Sequence, residues 1–177
     1  MKNGPRTLAE QMQGLADALK QAEGCSVLDL GCAEGYIGME FAKAGASAVQ
    51  GIEFNPDLVE YGRAQMSRHP ALPFELVQAD LADIIAAPAR PQWDVVLALA
   101  ILHKLKDPAT GVRYCCETAR ELIIIRLPIG STGLLRCKYA PHAQCDLRDE
   151  MPRLGWRRVH KAPGPRGEWV HYYRRTA

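Results

Sequence analysis

No apolar run in this sequence approaches the roughly 20 residues that a bilayer-spanning helix needs. The longest, "VVLALAIL", has eight. The N-terminal stretch "MKNGPRTLAEQ" lacks the apolar core of a secretion signal, so the expected compartment is the cytosol. The six cysteines follow no regular framework, which excludes a disulfide scaffold and points to reduced thiols. Internal repeats and low-complexity segments are absent, and with them the solenoid and linker classes. Charge is nearly balanced at +2. The exception is Leu147 to Ala177, with eight Lys/Arg against three Asp/Glu. Such a tail can meet RNA or an anionic substrate, or it can be the solvated face of an edge hairpin.

What is present is an alternation of strand and helix signals over 177 residues, a length suited to one domain. "TLAEQMQGLADALKQAEG" places Leu8, Met12, Leu15 and Leu19 on one helical face, with Thr7 and Glu10 as a capping box and Gly24 as the stop. "SVLDL", "AVQGIEF", "FELVQAD", "WDVVLALA" and "LIIIRLP" read as five strands. Helices between them run from Tyr36 to Ala44, from the Asn55-Pro56 cap to about Arg68, through "LADIIAA", and from Asp107-Pro108 to about Arg120. "DLRDEMPRLG" is a short, proline-interrupted helix, and "WRRVHKA" and "EWVHYYRR" form a closing hairpin. Strands alternating with helices give a doubly wound, Rossmann-like α/β sheet of seven strands, mostly parallel, with an antiparallel strand from the hairpin. The expected organisation is a single domain over 1–177: an N-terminal helix at 1–24, a cofactor-binding core at 25–130, and a substrate-side loop and hairpin at 131–177.

In such sheets ligands bind beyond the carboxyl ends of the strands, where strand order reverses. The turn after the first strand, "LGCAEGYIG", has glycines at 31, 35 and 38. A dinucleotide turn needs G-x-G-x-x-G, but counting from Gly31 gives Ala33 and Tyr36 at the next two positions. A different ligand fits better. Glu53 closes the second strand, where its carboxylate can accept from both hydroxyls of a ribose. Asp80 closes the third, where it can accept from an exocyclic adenine amine. The turn offers N–H groups and a helix dipole to a single carboxylate. A carboxylate, a ribose and an adenine together describe S-adenosylmethionine.

"VLDLGCAEG", "GIEFN", "ADL" and "WDVVLALAILHKL", in this order and spacing, resemble the successive motifs of class I S-adenosylmethionine-dependent methyltransferases. The resemblance covers about Ser26 to Pro128, and the hairpin matches the last two strands of that family. One departure is Ala33, where many members carry glycine. The resemblance implies that Asp29, Gly31, Cys32, Ala33 and Gly35 surround the methionine part of the cofactor. It puts Glu53 on the ribose, Phe54 beside the adenine, Asp80 and Leu81 on the adenine edge and face, and Ala98, Leu99 and Ala100 beneath the sulfonium.

The acceptor has to be inferred from the segment after the fourth strand. "LALAILHKL" lacks the Asn/Asp-Pro-Pro-aromatic turn of enzymes that methylate amino groups of bases or glutamine amides. It also lacks the aspartate of ribose 2′-hydroxyl enzymes and the Pro-Cys of cytosine C5 enzymes. The remaining resemblance is to methyltransferases of small molecules, lipids or glycans, with O-methylation expected. His103 is the candidate base, or else a residue that packs against or caps the next helix. Tyr36 faces the cleft or packs its helix. In "GSTGLLRCKYAPHAQC", Arg136, Lys138, Tyr139 and His142 can meet an acidic or hydroxylated substrate, or none. Cys137, His142 and Cys145, with Cys115 or Cys116, match no common zinc spacing, and no metal is expected. Cys25 and Cys32 read as small, buried residues. Two alternatives stand beside the small-molecule enzyme: an RNA methyltransferase using Arg157, Arg158, Arg174 and Arg175, and a non-catalytic cofactor-binding partner subunit.

Overall fold

The computed structural model describes residues 6–128, 133–140 and 142–176. Gly130, Ser131 and Thr132, which begin the loop expected on the substrate side, lie outside the described residues, as does Pro141.

The chain opens with two short helices, α1 (Leu8–Gln11) and α2 (Ala16–Leu19), and then enters β1 (Ser26–Leu30). Three strand–helix units follow: α3 (Tyr36–Lys43) and β2 (Ala48–Glu53), α4 (Pro56–Met66) and β3 (Phe74–Gln78), α5 (Leu81–Ala86) and β4 (Trp93–Leu99). A 3-10 turn at Leu102–Lys104 leads into α6 (Pro108–Thr118) and β5 (Ala119–Leu127). A small hairpin, β6 (Leu134–Arg136) and β7 (Gln144–Asp146), precedes α7 (Leu147–Arg153), β8 (Trp156–Pro163) and β9 (Trp169–Arg175).

The main sheet has seven strands in the order β3-β2-β1-β4-β5-β9-β8. The pairs from β3 to β5 are parallel, and β9 runs antiparallel to both β5 and β8. This is the doubly wound sheet that the alternation implies, with strand order reversing between β1 and β4. Successive residues feed opposite cores, as helices on both faces require. Leu28, Val96, Ile123 and Ile125 join one cluster with Tyr114, Met151 and Trp156. Val27, Val95, Leu97 and Ile124 join the other with Leu15, Phe41 and Tyr172.

Two expectations need correction. The N-terminal segment is not one helix. It breaks at Gly14, whose φ of 79° lies in the left-handed region, and the Tyr172 hydroxyl on β9 donates to the Gly14 carbonyl. The Thr7–Glu10 capping box forms as expected. The stretch expected as loop after β5 contains the β6–β7 hairpin. Three-residue strands are too short to carry a period-2 signal, so nothing in the sequence announces them. Boundaries shift elsewhere too: α6 ends at Thr118 and β5 starts at the next residue, three earlier than "LIIIRLP" implies.

The basic tail is partly engaged within the fold. Arg175 donates to the carbonyls of Cys116 and Ala119 and lies over the Trp156 ring, while Arg174 donates to Gln21. Among the described residues, no helix is long and apolar enough to cross a membrane.

Two of the three glycines after β1 serve packing. A Cβ on Gly35 would sit 2.8 Å from the Phe74 ring of β3, and one on Gly38 would sit 2.9 Å from it. Gly38 lies inside α3, where alanine is intrinsically favoured by about 1 kcal/mol. Gly38→Ala should nevertheless destabilise the protein by about 1–3 kcal/mol in urea unfolding, because the added methyl overpacks the ring. Adding Phe74→Leu to Gly38→Ala should recover part of that loss. A Gly38→Ala protein as stable as the wild type would disprove the packing role.

Candidate functional site

The carboxyl ends of β1, β2, β3 and β4 bound a cleft that divides into two connected cavities sharing Gly31, Ala33 and Lys104. The first, about 470 Å³, is walled by Ile52, Glu53, Phe54, Asn55, Asp80 and Leu81, with Ile101, Leu105 and Tyr139 opposite. The second, about 710 Å³, is walled by Asp29, Cys32, Leu99, Ala100 and His103, and by Arg6, Gln11, Arg126 and Glu168.

The turn between the cavities is shaped by the chain itself. Gly31 has φ 70°, and a Cβ there would lie 2.7 Å from Ile101. Its N–H and that of Cys32 both donate to the Ile52 carbonyl, at 2.8 and 3.1 Å, which ties the turn to β2. Ala33 adopts φ 51° and Ala100 φ 60°; both conformations are strained for a residue with a Cβ. Of the three described non-glycine residues with such φ, these two line the cleft.

Glu53 is buried at 8% exposure, and its carboxylate spans two turns. Oε2 accepts from the Ala33 N–H at 3.1 Å and Oε1 from the Asn55 N–H at 3.0 Å. An ionised carboxylate has about four acceptor positions, so each oxygen can take another donor from the cleft. Phe54 is 68% exposed beside it, an apolar ring at the cavity wall. Asp80 caps α5 by accepting from the Ala82 N–H at 2.8 Å and holds its carboxyl at the first cavity, with Leu81 behind it.

The second cavity gathers buried polar atoms that lack partners. Asp29 Oδ2, His103 Nδ1, Arg126 Nε and Glu168 Oε2 are each buried without a hydrogen bond. Desolvation pushes the Asp29 carboxyl up to about 7, opposed by the Arg126 charge and reinforced by that of Glu53. Desolvation also lowers the His103 imidazole below its ordinary value, with Lys104 acting in the same sense. His103 is therefore neutral at pH 7. Its carbonyl accepts from the Lys138 N–H at 2.7 Å, which fixes the 3-10 turn to the β6–β7 hairpin.

Some of the residues expected at the site stand elsewhere. Ala98 is fully buried in the core and lines neither cavity, because it points to the opposite sheet face from Leu99. Gly35 lines neither; it starts α3 with φ 78° against Phe74. The Tyr36 hydroxyl donates to that of Tyr61 on α4 at 3.2 Å, away from both cavities. Of the loop residues, Tyr139 borders the first cavity, whereas Arg136, Lys138 and His142 are exposed and border neither. All six thiols are free, and among the described residues no group of three or more His, Cys, Asp or Glu is arranged to hold a metal ion. Arg126 and Glu168 were not expected at the site. A lone arginine inside "LIIIRLP" is a readable signal, whereas Glu168, in a polar turn, carries none.

A carboxyl whose folded value rises from 3.8 to about 7 holds its proton more tightly folded than unfolded. Stability is then lost as pH rises between those values. Asp29→Asn should raise the melting temperature of the ligand-free protein at pH 8, by on the order of 2–4 kcal/mol of stability, with the gap closing toward about pH 4. Equal melting temperatures at pH 8 would mean that the carboxyl is not desolvated.

Known proteins resemble this chain in sequence and in fold. A family model described as a methyltransferase domain matches residues 27–121, more than half of the chain. A ribosomal protein L11 methyltransferase from Dechloromonas aromatica is 29% identical over 132 residues, covering 73% of this chain and 42% of that protein. A ubiquinone biosynthesis O-methyltransferase from Neisseria meningitidis is 30% identical over 108 residues, covering 59% and 43%. The chain thus spans less than half the length of these curated relatives. The fold matches magnesium protoporphyrin IX methyltransferase from Synechocystis, solved with bound S-adenosylhomocysteine, at a TM-score of 0.74 and 14% identity, covering 98% of this chain and 90% of that one. With that family model spanning β1 to the start of β5, the chain belongs to the class I S-adenosylmethionine-dependent methyltransferases.

Proposed function

We propose that this chain methylates a hydroxyl group of a small-molecule, lipid or glycan-type acceptor, using S-adenosylmethionine. The observation that carries the reading is the pairing of a buried, multiply hydrogen-bonding carboxylate, Glu53, with a second buried carboxyl, Asp29, whose Oδ2 lacks a hydrogen bond, on either side of the Gly31 turn. An amino acid joined through sulfur to a nucleoside has the matching groups: ribose hydroxyls to donate to Glu53 and an ammonium to partner Asp29. In this assignment Glu53, Phe54, Asp80 and Leu81 would hold the adenosine end. Asp29, Gly31, Cys32 and Ala33 would hold the amino-acid end, with Leu99 and Ala100 beneath the sulfur.

When bound, the cofactor supplies an electrophilic methyl carbon on a sulfonium. The protein's remaining tasks are to align an oxygen with that carbon, exclude water and take up one proton. His103 Nδ1 suits the last task, being buried, unpartnered and on a neutral imidazole at pH 7. The O-methyltransferase among the relatives supports oxygen as the attacked atom.

The reading is tested by titrating the protein with S-adenosylhomocysteine in a calorimeter. Radiolabelled cofactor is then incubated with fractionated small molecules, lipids and RNA. Binding with label transfer to a hydroxyl-bearing fraction is expected. Transfer to RNA or protein instead would overturn the acceptor class, and binding without transfer would leave a non-catalytic module. Glu53→Ala should weaken cofactor affinity by about 1–3 kcal/mol, the scale of hydrogen bonds to a charged group. Once an acceptor is known, His103→Asn should slow transfer by about 10²–10⁴-fold. The acidic limb of the wild-type rate profile should fall below the ordinary histidine value of 6.5.

A further inference from the structure

We propose that Arg126 and Glu168 form the subsite that grips the acceptor, and that they select a neutral, hydroxyl-rich molecule such as a sugar or other polyol over an anionic one. This inference rests on the methyltransferase reading above.

The two side chains come from different parts of the fold and meet at one wall of the larger cavity. Arg126 lies near the end of β5, paired in register with Leu99 of β4, on the sheet face that carries Asp29. Glu168 sits in the turn before β9. Both are more than nine-tenths buried, at 3% and 7% exposure. Each is also held in place by the N-terminal segment: an Arg126 terminal nitrogen donates to the Gln11 carbonyl, and Glu168 Oε1 accepts from Arg6 at 2.6 Å. Between these anchored groups lie one donor, Arg126 Nε, and one acceptor, Glu168 Oε2, both fully buried without a hydrogen bond. They stand 4.0 Å apart, too far to bond to each other.

That spacing suits a hydroxyl. Two hydrogen bonds of about 2.8 Å meeting at one oxygen at roughly 90° span about 4.0 Å. A hydroxyl accepts from Nε–H and donates to the carboxylate at once, which satisfies both buried atoms. A carboxylate or phosphate of the ligand has no proton to offer Glu168 Oε2 and would face it as a like charge. An ammonium would face Arg126 in the same way. His103 borders the same cavity, so a second hydroxyl of a polyol can meet the imidazole while the first is gripped.

The test uses the full chain saturated with S-adenosylhomocysteine and reads binding by ligand-observed NMR. The neutral probes are methyl α-D-glucoside, myo-inositol and glycerol, and the anionic probe is glucuronate. At least one neutral probe should bind the wild type more tightly than glucuronate does. In Glu168→Gln, which removes the carboxylate facing Arg6 and Arg126, the preference should swing toward glucuronate by about tenfold or more. If S-adenosylhomocysteine does not bind, the methyltransferase reading itself falls. If it binds but no neutral probe does, or the wild type prefers glucuronate, the polyol subsite is wrong while that reading stands. The wild-type comparison decides the matter even if Glu168→Gln does not fold.

Discussion

The cleft is organised by one carboxylate. Glu53 accepts from the N–H of Ala33 in the turn after β1 and from the N–H of Asn55, the N-cap of α4. It therefore locks the first two strand–helix turns together, on the β2 side of the point where strand order reverses. The Ala33 N–H has the Glu53 carboxylate rather than a strand carbonyl as its partner, and a buried carboxylate cannot stay solvated; each resolves the other. The hold also stabilises a conformation that the chain would not choose freely. Ala33 at φ 51° costs about 1–2 kcal/mol relative to an ordinary backbone well, and two charge-assisted hydrogen bonds are on the scale needed to offset it.

The contrast between the two cavities follows from that lock. In the first, the carboxylates of Glu53 and Asp80 already hold backbone groups, so the walls are stable without a ligand. In the second, four buried polar atoms have no partner, and each orphaned group costs about 1–3 kcal/mol. A fold retains such atoms where something else satisfies them. The surrounding sheet supplies the rigidity to tolerate them: β1, β4 and β5 are central strands whose side chains are buried on both faces.

How much of this the sequence discloses depends on the length scale of each signal. Strand ends and helix starts are punctuated locally. Asn55-Pro56 and Asp107-Pro108 cap helices as their residue types require, and Asp80 does the same without a proline. Glu53 and Asp80 are legible as cleft residues because strand-end position follows from the same punctuation. Features that depend on distant contacts are not legible. The break at Gly14 is set by Tyr172, 158 residues away, and the proximity of Arg126 to Glu168 depends on β9 pairing with β5. The glycines at 35 and 38 show that bare backbone after a strand can serve packing as well as a ligand. Their bareness accommodates the Phe74 ring, and of the three glycines Gly31 is the one that lines the two cavities.

The β6–β7 hairpin connects these observations to specificity. Its Lys138 N–H binds the His103 carbonyl, and its Tyr139, 71% exposed, reaches the rim of the first cavity beside Lys104. A shift of the hairpin therefore pulls on the backbone that carries the imidazole, so the position of His103 and the shape of the cavity mouth are coupled. On the other wall, Arg6 and Gln11 position Glu168 and Arg126 from the N-terminal segment. On the proposed reading, the half of the cleft that would hold the cofactor is built from the strand turns of the sheet, which the fold fixes. On the same reading, the half that would take the acceptor is built from the N-terminal segment, the hairpin and the β8–β9 turn, which the sheet leaves free to vary. A change of acceptor in this fold thus needs no change in the residues around Glu53, only in the peripheral elements that carry or position His103, Arg126 and Glu168.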